Sequence, residues 1–450
     1  MGIQPRFWTG QLLFETVQGF LEWLVLAFGH RMFFLLLLIK EIFENDKRKI
    51  VRYTTYSGLS LIMSNFSLAK VNRFVLKKQH LADGSKIDDV LRIAGDIGGL
   101  HGTTATGPYL SLFARSISFA KDDLAVAMSQ KKSLARIRYV RNTIYILPKE
   151  LIPVAFAGAS QMAEVTATRF SKYLGITPTQ YARISNKILK ILKGRGLTTR
   201  EIKQKLRTAM NIAPIVNLMC DKGLLIRSLP REGWKSTQHA YYLFKDYYPD
   251  LDLTSFEEKE ARREIVKRYI LSFGPVSEED IAWWTGFPKT LVKGILEDLD
   301  GELSPVAISE LEGGYLIHLS ELEALASIDV PKYFDISVLP ALDPYIMGYK
   351  HRERYRHPKH DKMIFDRSGN ATSTILVDGR IAGIWDLEET MAKVFYLTDV
   401  EKDVHRKIRA RVADVGKFIA GKPVQVKVCH SMVPLTQRTA GSFMSPLKDC

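Results

Sequence analysis

The strongest constraint on this chain is an order of elements that recurs three times: three helical segments, then two alternating segments joined by a turn. In residues 178–248, SNKILKILKG is an amphipathic helix, Leu197-Thr198 a short extended link, and Thr199 an N-cap for TREIKQKL. NIAPIVNLMCDKG is a third helix ending at Gly223, and LLIRSL and HAYYLFKDY follow as strands around PREGWKSTQ. That is the outline of a winged helix. Residues 257–319 repeat it: ARREIVKRYILSFG is the first helix, Ser277 caps SEEDIAWWTG, Pro288 starts PKTLVKGILEDL, and LSPVAIS with GGYLIHL forms the wing. This copy is less basic, which suits a supporting role more than a grip on an anionic partner.

The first copy, between Arg73 and Val154, carries a polar pair placed for chemistry. Ile87, Val90, Leu91, Ala94 and Ile97 recur at helical spacing, Asp88 and Asp89 suit the positive end of the helix dipole, and Gly98-Gly99 stop the helix. Pro108 then opens a helix with Tyr109, Leu112, Phe113 and Ile117 on its apolar side and Arg115 among its polar positions. The corner between them, Gly98-Gly99-Leu100-His101-Gly102-Thr103, exposes backbone and short side chains where a small ligand or a sugar-phosphate can approach closely. The plainer reading is that His101 and Thr103 only cap helix ends. Beyond the short helix KDDLAVAMSQ, the alternation in SLARIRYVRNTIYILP predicts a hairpin turning near Arg141-Asn142. Arg136 and Arg138 lie on one face of its first strand, either as phosphate contacts or as a solvated face.

After Pro331 the pattern changes to strands. ISVLPAL, KMIFDR, STILVDGRIAGIWDL and KVFYL alternate between turn signals that include Asp378-Gly379, so a small β-barrel or curled sheet is expected. KHRERYRHPKHDK, from Lys350, reads as a basic loop and KDVHRKIRAR, from Lys402, as a basic helix. The weakly patterned tail, 421–450, reads as disordered.

Residues 1–62 stand apart. FLEWLVLAFGH and MFFLLLLIKEIF suggest a membrane helix or signal sequence, but Glu15, Glu22, His30 and Arg31 interrupt the run short of the ~20 apolar residues a bilayer crossing requires. Met63 opens a stretch that reads like an ordinary N-terminus, which makes an early gene start the simpler explanation. A formal net charge of +15, from 64 Lys and Arg against 49 Asp and Glu, points to nucleic acid or an anionic membrane surface. Cys220, Cys429 and Cys450 are far apart with no CxxC and no His-rich cluster, from which a reducing cytoplasm, no structural zinc and no cofactor are expected.

RFVLKKQHL, GGLHGTTATGPYLSLFAR, Arg141-Asn142-Thr143, YILSFGPVSEEDIAWWTG, LPALDPYIMGYKHR and ILVDGRIAGIWD occur in this order, and in them the chain resembles the winged-helix DNA glycosylases of the AlkZ/YcaQ kind. The resemblance covers about residues 66 to 420. It implies an α+β fold: three tandem winged-helix modules (66–170, 175–250 and 257–325) and a C-terminal small β-barrel (331–420), C-shaped around a basic concave face. It implies a monomeric protein that removes N7-alkylated purines from duplex DNA and unhooks interstrand crosslinks. The family's catalytic Gln-x-Gln or Gln-x-Asp directly after Gly-Leu falls here on His101 and Thr103, a His-x-Thr variant that becomes the candidate catalytic pair. The candidate DNA contacts are Tyr109, Arg115, Arg136, Arg138, Arg141, Lys187, Lys190, Lys203, Arg207, Arg352 and Arg354. The alternatives are a winged-helix duplex-binding protein with lost or altered catalysis, and a membrane-tethered regulator.

Overall fold

The structure, a computed structural model, describes residues 51–54, 60–331, 334–448 and 450. It divides into two units, 1–65 and 66–450. Most of the N-terminal extension, including both of its apolar runs, lies outside the described residues. The described part is an antiparallel pair, β1 (Val51–Thr54) and β2 (Ser60–Phe66), in which Met63 stands opposite Val51. Among the described residues no helix is long and apolar enough to cross a membrane.

Helix α1 (Leu68–Lys78) begins at Ser67, whose side chain accepts from the Lys70 N–H. Helix α2 (Val90–Asp96) begins at Asp89, which accepts from the N–H groups of Leu91 and Arg92. Asp88 instead ties down the far end of the next helix, accepting from the N–H groups of Ile117 and Ser118 and from the Ser118 hydroxyl. Gly98 and Gly99 turn the chain with φ of +71° and +101° into the two-residue strand β3 (Leu100–His101). Helix α3 (Gly107–Arg115) follows with Pro108 in its first turn. Strands β4 (Leu134–Arg138) and β5 (Ile144–Pro148) form the expected hairpin, with Val140–Asn142 as its turn.

Helix α4 (Ile152–Tyr173) is 22 residues long and was not anticipated, because its Gly, Ser and β-branched content blurs the apolar stripe. It packs against helices of both later repeats. Helix α5 (Pro178–Leu192), strand β6 (Leu197–Thr198), helices α6 (Thr199–Leu206) and α7 (Ala213–Asp221), and strands β7 (Leu225–Pro230) and β8 (His239–Leu243) follow the expected order. The α6 cap is Thr198, one residue earlier than the sequence suggested, in a reciprocal capping box with Glu201.

The first two hairpins do not stay separate. They merge into one six-stranded sheet of order β3-β5-β4-β7-β8-β6, joined at its centre through the pairing of Arg136 with Arg227.

The third repeat supplies α8 (Glu258–Phe273), α9 (Glu278–Thr285, capped by Ser277), α10 (Lys289–Asp298, preceded by Pro288), and the hairpin β9 (Leu303–Ile308) and β10 (Tyr315–His318). Its aromatic core reaches the corner of the first: a Cβ on Gly98 would lie 3.0 Å from the Phe273 ring, and Tyr269 stacks on Trp284 with centroids 4.8 Å apart.

The C-terminal strands do not close into a barrel. β11 (Ile336–Leu339), β12 (Thr374–Val377), β13 (Arg380–Glu388), β14 (Met391–Tyr396) and β15 (Gln425–Val428) form an open sheet in that order, with β11 and β15 at its edges. Helix α11 (Lys402–Ala420) packs on β11, β14 and β15 and covers the apolar face that a barrel would have turned inward. Asp378 and Gly379 both take positive φ, +49° and +76°, as a tight hairpin turn requires.

The tail is ordered. β15 pairs in parallel with β14, Leu447 is fully buried, and Cys429 and Cys450 form a disulfide with Cα atoms 5.8 Å apart. That corrects the reading of three separate cysteines: the chain returns across the sheet, so sequence distance did not measure spatial distance. Among the described residues no His, Cys, Asp or Glu cluster could hold a metal ion.

Candidate active site

The corner after α2 is built by close backbone approach. The Gly99 N–H donates to the Ala94 carbonyl at 2.9 Å, and a Cβ on Gly99 would meet Leu147 Cδ2 at 2.5 Å, so glycine alone lets β3 lie against β5. The Gly102 N–H donates to the Ile144 carbonyl at 2.7 Å, and His101 stands opposite Tyr145. Capping of α3 falls to Thr104, whose Oγ1 accepts from the Gly107 N–H at 3.1 Å. His101 and Thr103 therefore do not cap it, and neither side chain has a hydrogen-bond partner among the described residues.

His101 is 7% exposed, with its ring centroid 5.3 Å from that of Tyr145. Its Nδ1 is buried without a partner. Burial, reinforced by the positive charge of Arg141 and only partly opposed by Asp343, pushes its pKa down to about 4. At neutral pH the ring is uncharged. Thr103, two residues on, is exposed.

Arg141 sits at the hairpin tip, where it and Asn142 both adopt a left-handed backbone, φ +50° and +57°. Two successive non-glycine residues in this region store strain of order 1–3 kcal/mol each, and such strain gathers at functional sites. The Arg141 guanidinium lies 4.0 Å above the Trp283 ring, with Arg352 5.6 Å from the same ring. The candidate site thus draws His101 from β3, Thr103 from the bend that follows it, Arg141 from the hairpin and Trp283 from the third repeat.

Several expected DNA contacts lie elsewhere. Arg115 is fully buried and grips the equally buried Asp343 through two bonds of 2.7 and 2.8 Å, so it faces the interior and not solvent. Arg354, 1% exposed, donates to the Pro275 carbonyl and lies 3.9 Å over Tyr349. Tyr109 is 5% exposed and meets Trp234 edge-on. Arg138 donates to Asp221 and to the Asn142 carbonyl, bracing the hairpin tip.

Arg136 donates to the Gly102 carbonyl at 2.5 Å and to His239 Nε2 at 2.6 Å. Burial lowers its pKa to about 10, which leaves it charged at neutral pH, and it lowers that of half-buried His239 to about 4. It therefore positions the backbone between the two candidate catalytic residues. Lys187, Lys190 and Arg207 are exposed and Lys203 and Arg352 half-buried, with Arg352 donating to the Gly369 carbonyl and lying 3.7 Å from the Phe365 ring centroid. His239, Asp343, Trp283 and Tyr145 escaped the sequence reading. Only Asp343 left a signal, as a lone carboxylate in the apolar run LPALDPY.

The buried histidine sets a pH dependence. His101 has a folded-state pKa near 4, below the ordinary 6.5, so the unfolded chain binds more protons between these values. Its stabilising contribution is complete above pH 6.5 and is lost as pH falls toward 4, by about 3 kcal/mol at 1.36 kcal/mol per pKa unit. His239 adds to it with the same sign. Urea denaturation at neutral and acid pH should show this loss, and His101→Gln should remove its His101 share. An identical loss in that variant would disprove the assignment.

A family model described as DNA glycosylase AlkZ-like matches residues 94–418. An interstrand DNA cross-link repair glycosylase from Streptomyces sahachiroi is 23% identical over 319 residues, covering 66% of this chain and 82% of that protein. The solved structure of the Streptomyces sahachiroi DNA glycosylase AlkZ matches with a TM-score of 0.67 and 18% identity, over 81% of this chain and all of that one.

Proposed function

Because the chain belongs to the AlkZ-like DNA glycosylase family, we propose that it is a monofunctional glycosylase that hydrolyses the N-glycosylic bond of N7-alkylated purines in duplex DNA, with interstrand crosslinks as an extended substrate class. The observation that carries this reading is a buried, uncharged and unpartnered His101 beside an exposed Thr103 on a backbone held by Arg136.

An N7-alkylated purine is already cationic, so when the bond to C1′ breaks it leaves with the bonding pair as a neutral base and needs no general acid. Water adds to C1′ of the resulting oxocarbenium-like sugar and loses a proton. With a conjugate-acid pKa near 4, His101 is a weak base. It suits a loose transition state, in which water must be positioned before it must be deprotonated. His101 accepts a hydrogen bond from that water and Thr103 orients it. Neither supplies negative charge, so the sugar cation draws its stabilisation from the DNA phosphates. In this reading the helix–hairpin units act as winged helices around the duplex, and Arg141, Lys187, Lys203 and Arg352 meet its backbone.

A second reading, duplex binding without catalysis, is favoured by the low basicity of His101 and by the absence of the family's glutamine pair. The test is release of 7-methylguanine from alkylated duplex DNA by the full chain, followed by chromatography of the free base. Release above the spontaneous rate is expected. Tight duplex binding with no release of base would sink the monoadduct glycosylase reading and leave the second.

A further inference from the structure

In a winged helix the third helix ordinarily enters the major groove. Here that route is closed in two repeats. Along α3 every residue but Phe113 is buried, and along α7 everything from Pro214 to Asp221 is buried apart from half-buried Asn217. Neither helix has a face free for base edges.

The second repeat has another feature with the chemistry of a nucleic-acid contact. A recess of about 630 Å³ opens between the C-terminal ends of α5 and α6, lined by Lys190, Ile191, Arg195, Gln204, Lys205 and Arg207. It contains four cations and no carboxylate. All four are exposed, and none makes an ion pair or side-chain hydrogen bond among the described residues. Two acids of this repeat are committed elsewhere: Glu201 accepts from the Thr198 N–H and from Arg231, and Asp246 from the Gly194 N–H.

The third repeat shows the opposite pattern. There Lys259 pairs with Asp298, Arg263 and Lys267 with Glu302, and Lys289 with Glu279. Helix C-termini attract cations, which accounts for one or two such residues but not for four around a common recess. Arg207 also holds a left-handed backbone, φ +50°, that glycine or asparagine would adopt at lower cost.

We propose that this recess is a phosphate-binding site through which the second repeat holds the DNA backbone without reading sequence, in place of a recognition helix. The proposal rests on the DNA-binding part of the proposed function and is independent of catalysis. It predicts binding that is indifferent to sequence and steeply dependent on salt, because each phosphate neutralised releases condensed counterions.

The test uses the full chain and an undamaged duplex, comparing the parent with the combined variant Lys190→Gln, Arg195→Gln, Lys205→Gln, Arg207→Asn, in which asparagine suits the left-handed position. A charge control carries Lys259→Gln, Arg263→Gln, Lys267→Gln and Lys289→Gln, and circular dichroism verifies that each variant is folded. The slope of log affinity against log salt should become shallower by about 3–4 in the recess variant, at ~0.9 per lost contact. Between 50 and 200 mM salt that amounts to roughly 10²-fold less salt-induced weakening than in the parent. The control should keep the parent slope. An unchanged slope, the same change in both variants, or a larger effect on single-stranded RNA than on duplex DNA would each overturn the proposal. Because no base release is read, a changed slope without glycosylase activity would sustain the recess while refuting the catalytic reading. Activity with an unchanged slope would do the reverse.

Discussion

Replacing His101 with alanine should lower the single-turnover rate of base release by roughly 10²- to 10⁴-fold, the range for losing a group that positions or deprotonates the nucleophile. Duplex affinity should stay within about twofold, because the ring is 7% exposed and uncharged at neutral pH and offers phosphate nothing. His101→Gln is the informative partner. An amide accepts a hydrogen bond from water as a neutral imidazole does, so it should recover most of the lost rate if positioning dominates. The alkaline side of the rate profile distinguishes the roles further: a residue with a pKa near 4 is already deprotonated above about pH 5, and the rate should be flat from there to about pH 8. An acid limb centred near the ordinary histidine value of 6.5 would mean that His101 is not buried and neutral as described. Equal rates for parent and alanine variant would remove it from the mechanism.

The second large effect lies away from solvent. Arg115→Ala should destabilise the chain by about 3–5 kcal/mol in urea denaturation, because it leaves Asp343 charged in a site where both side chains are fully buried. Asp343 also accepts from the Ser111 hydroxyl and the Tyr345 N–H, so the unpaired carboxylate cannot move toward water without breaking those bonds. The double variant Arg115→Leu/Asp343→Leu should recover a large part of the loss, since removing both charges also removes the unmatched one. It will not recover all of it, as Ser111 and Tyr345 then lose their acceptor. A loss below about 1 kcal/mol for Arg115→Ala would show that the pair is solvated. The pair joins α3 to the loop after β11, so its rupture should also loosen the corner that carries His101.

The role of His101 is legible in the local sequence, but the burial of Arg115 is not. Arg115 sits in a helix whose periodicity is plain, and an arginine at a polar position reads naturally as exposed. What buries it is Asp343, 228 positions away. Arg354 was misjudged in the same way: KHRERYRHPKHDK reads as a solvated basic loop, yet Tyr355 is fully buried and Arg354 lies under Tyr349. His239 and Trp283 carry no mark in their own segments. They join the site only because the β7–β8 hairpin pairs with β4 and because α9 packs beneath the tip of the β4–β5 hairpin.

The sequence by itself determined where elements start, stop and turn. Asp89 and Ser277 cap helices, Gly98-Gly99 end one, Arg141-Asn142 and Asp378-Gly379 make hairpin turns, and the threefold order of helices and hairpins reads directly from periodicity. Backbone hydrogen-bond periods, caps and left-handed residues act over a few positions, so their evidence lies within a few positions. Only the tertiary structure decided that two hairpins share one sheet, that the last strands remain open under α11, that Cys429 meets Cys450, and that Arg115 and Arg354 leave the surface while Arg141 stays near it. Those outcomes depend on which apolar faces bury each other, and a buried charge or an edge strand finds its partner wherever that packing brings one, at a separation no local pattern encodes.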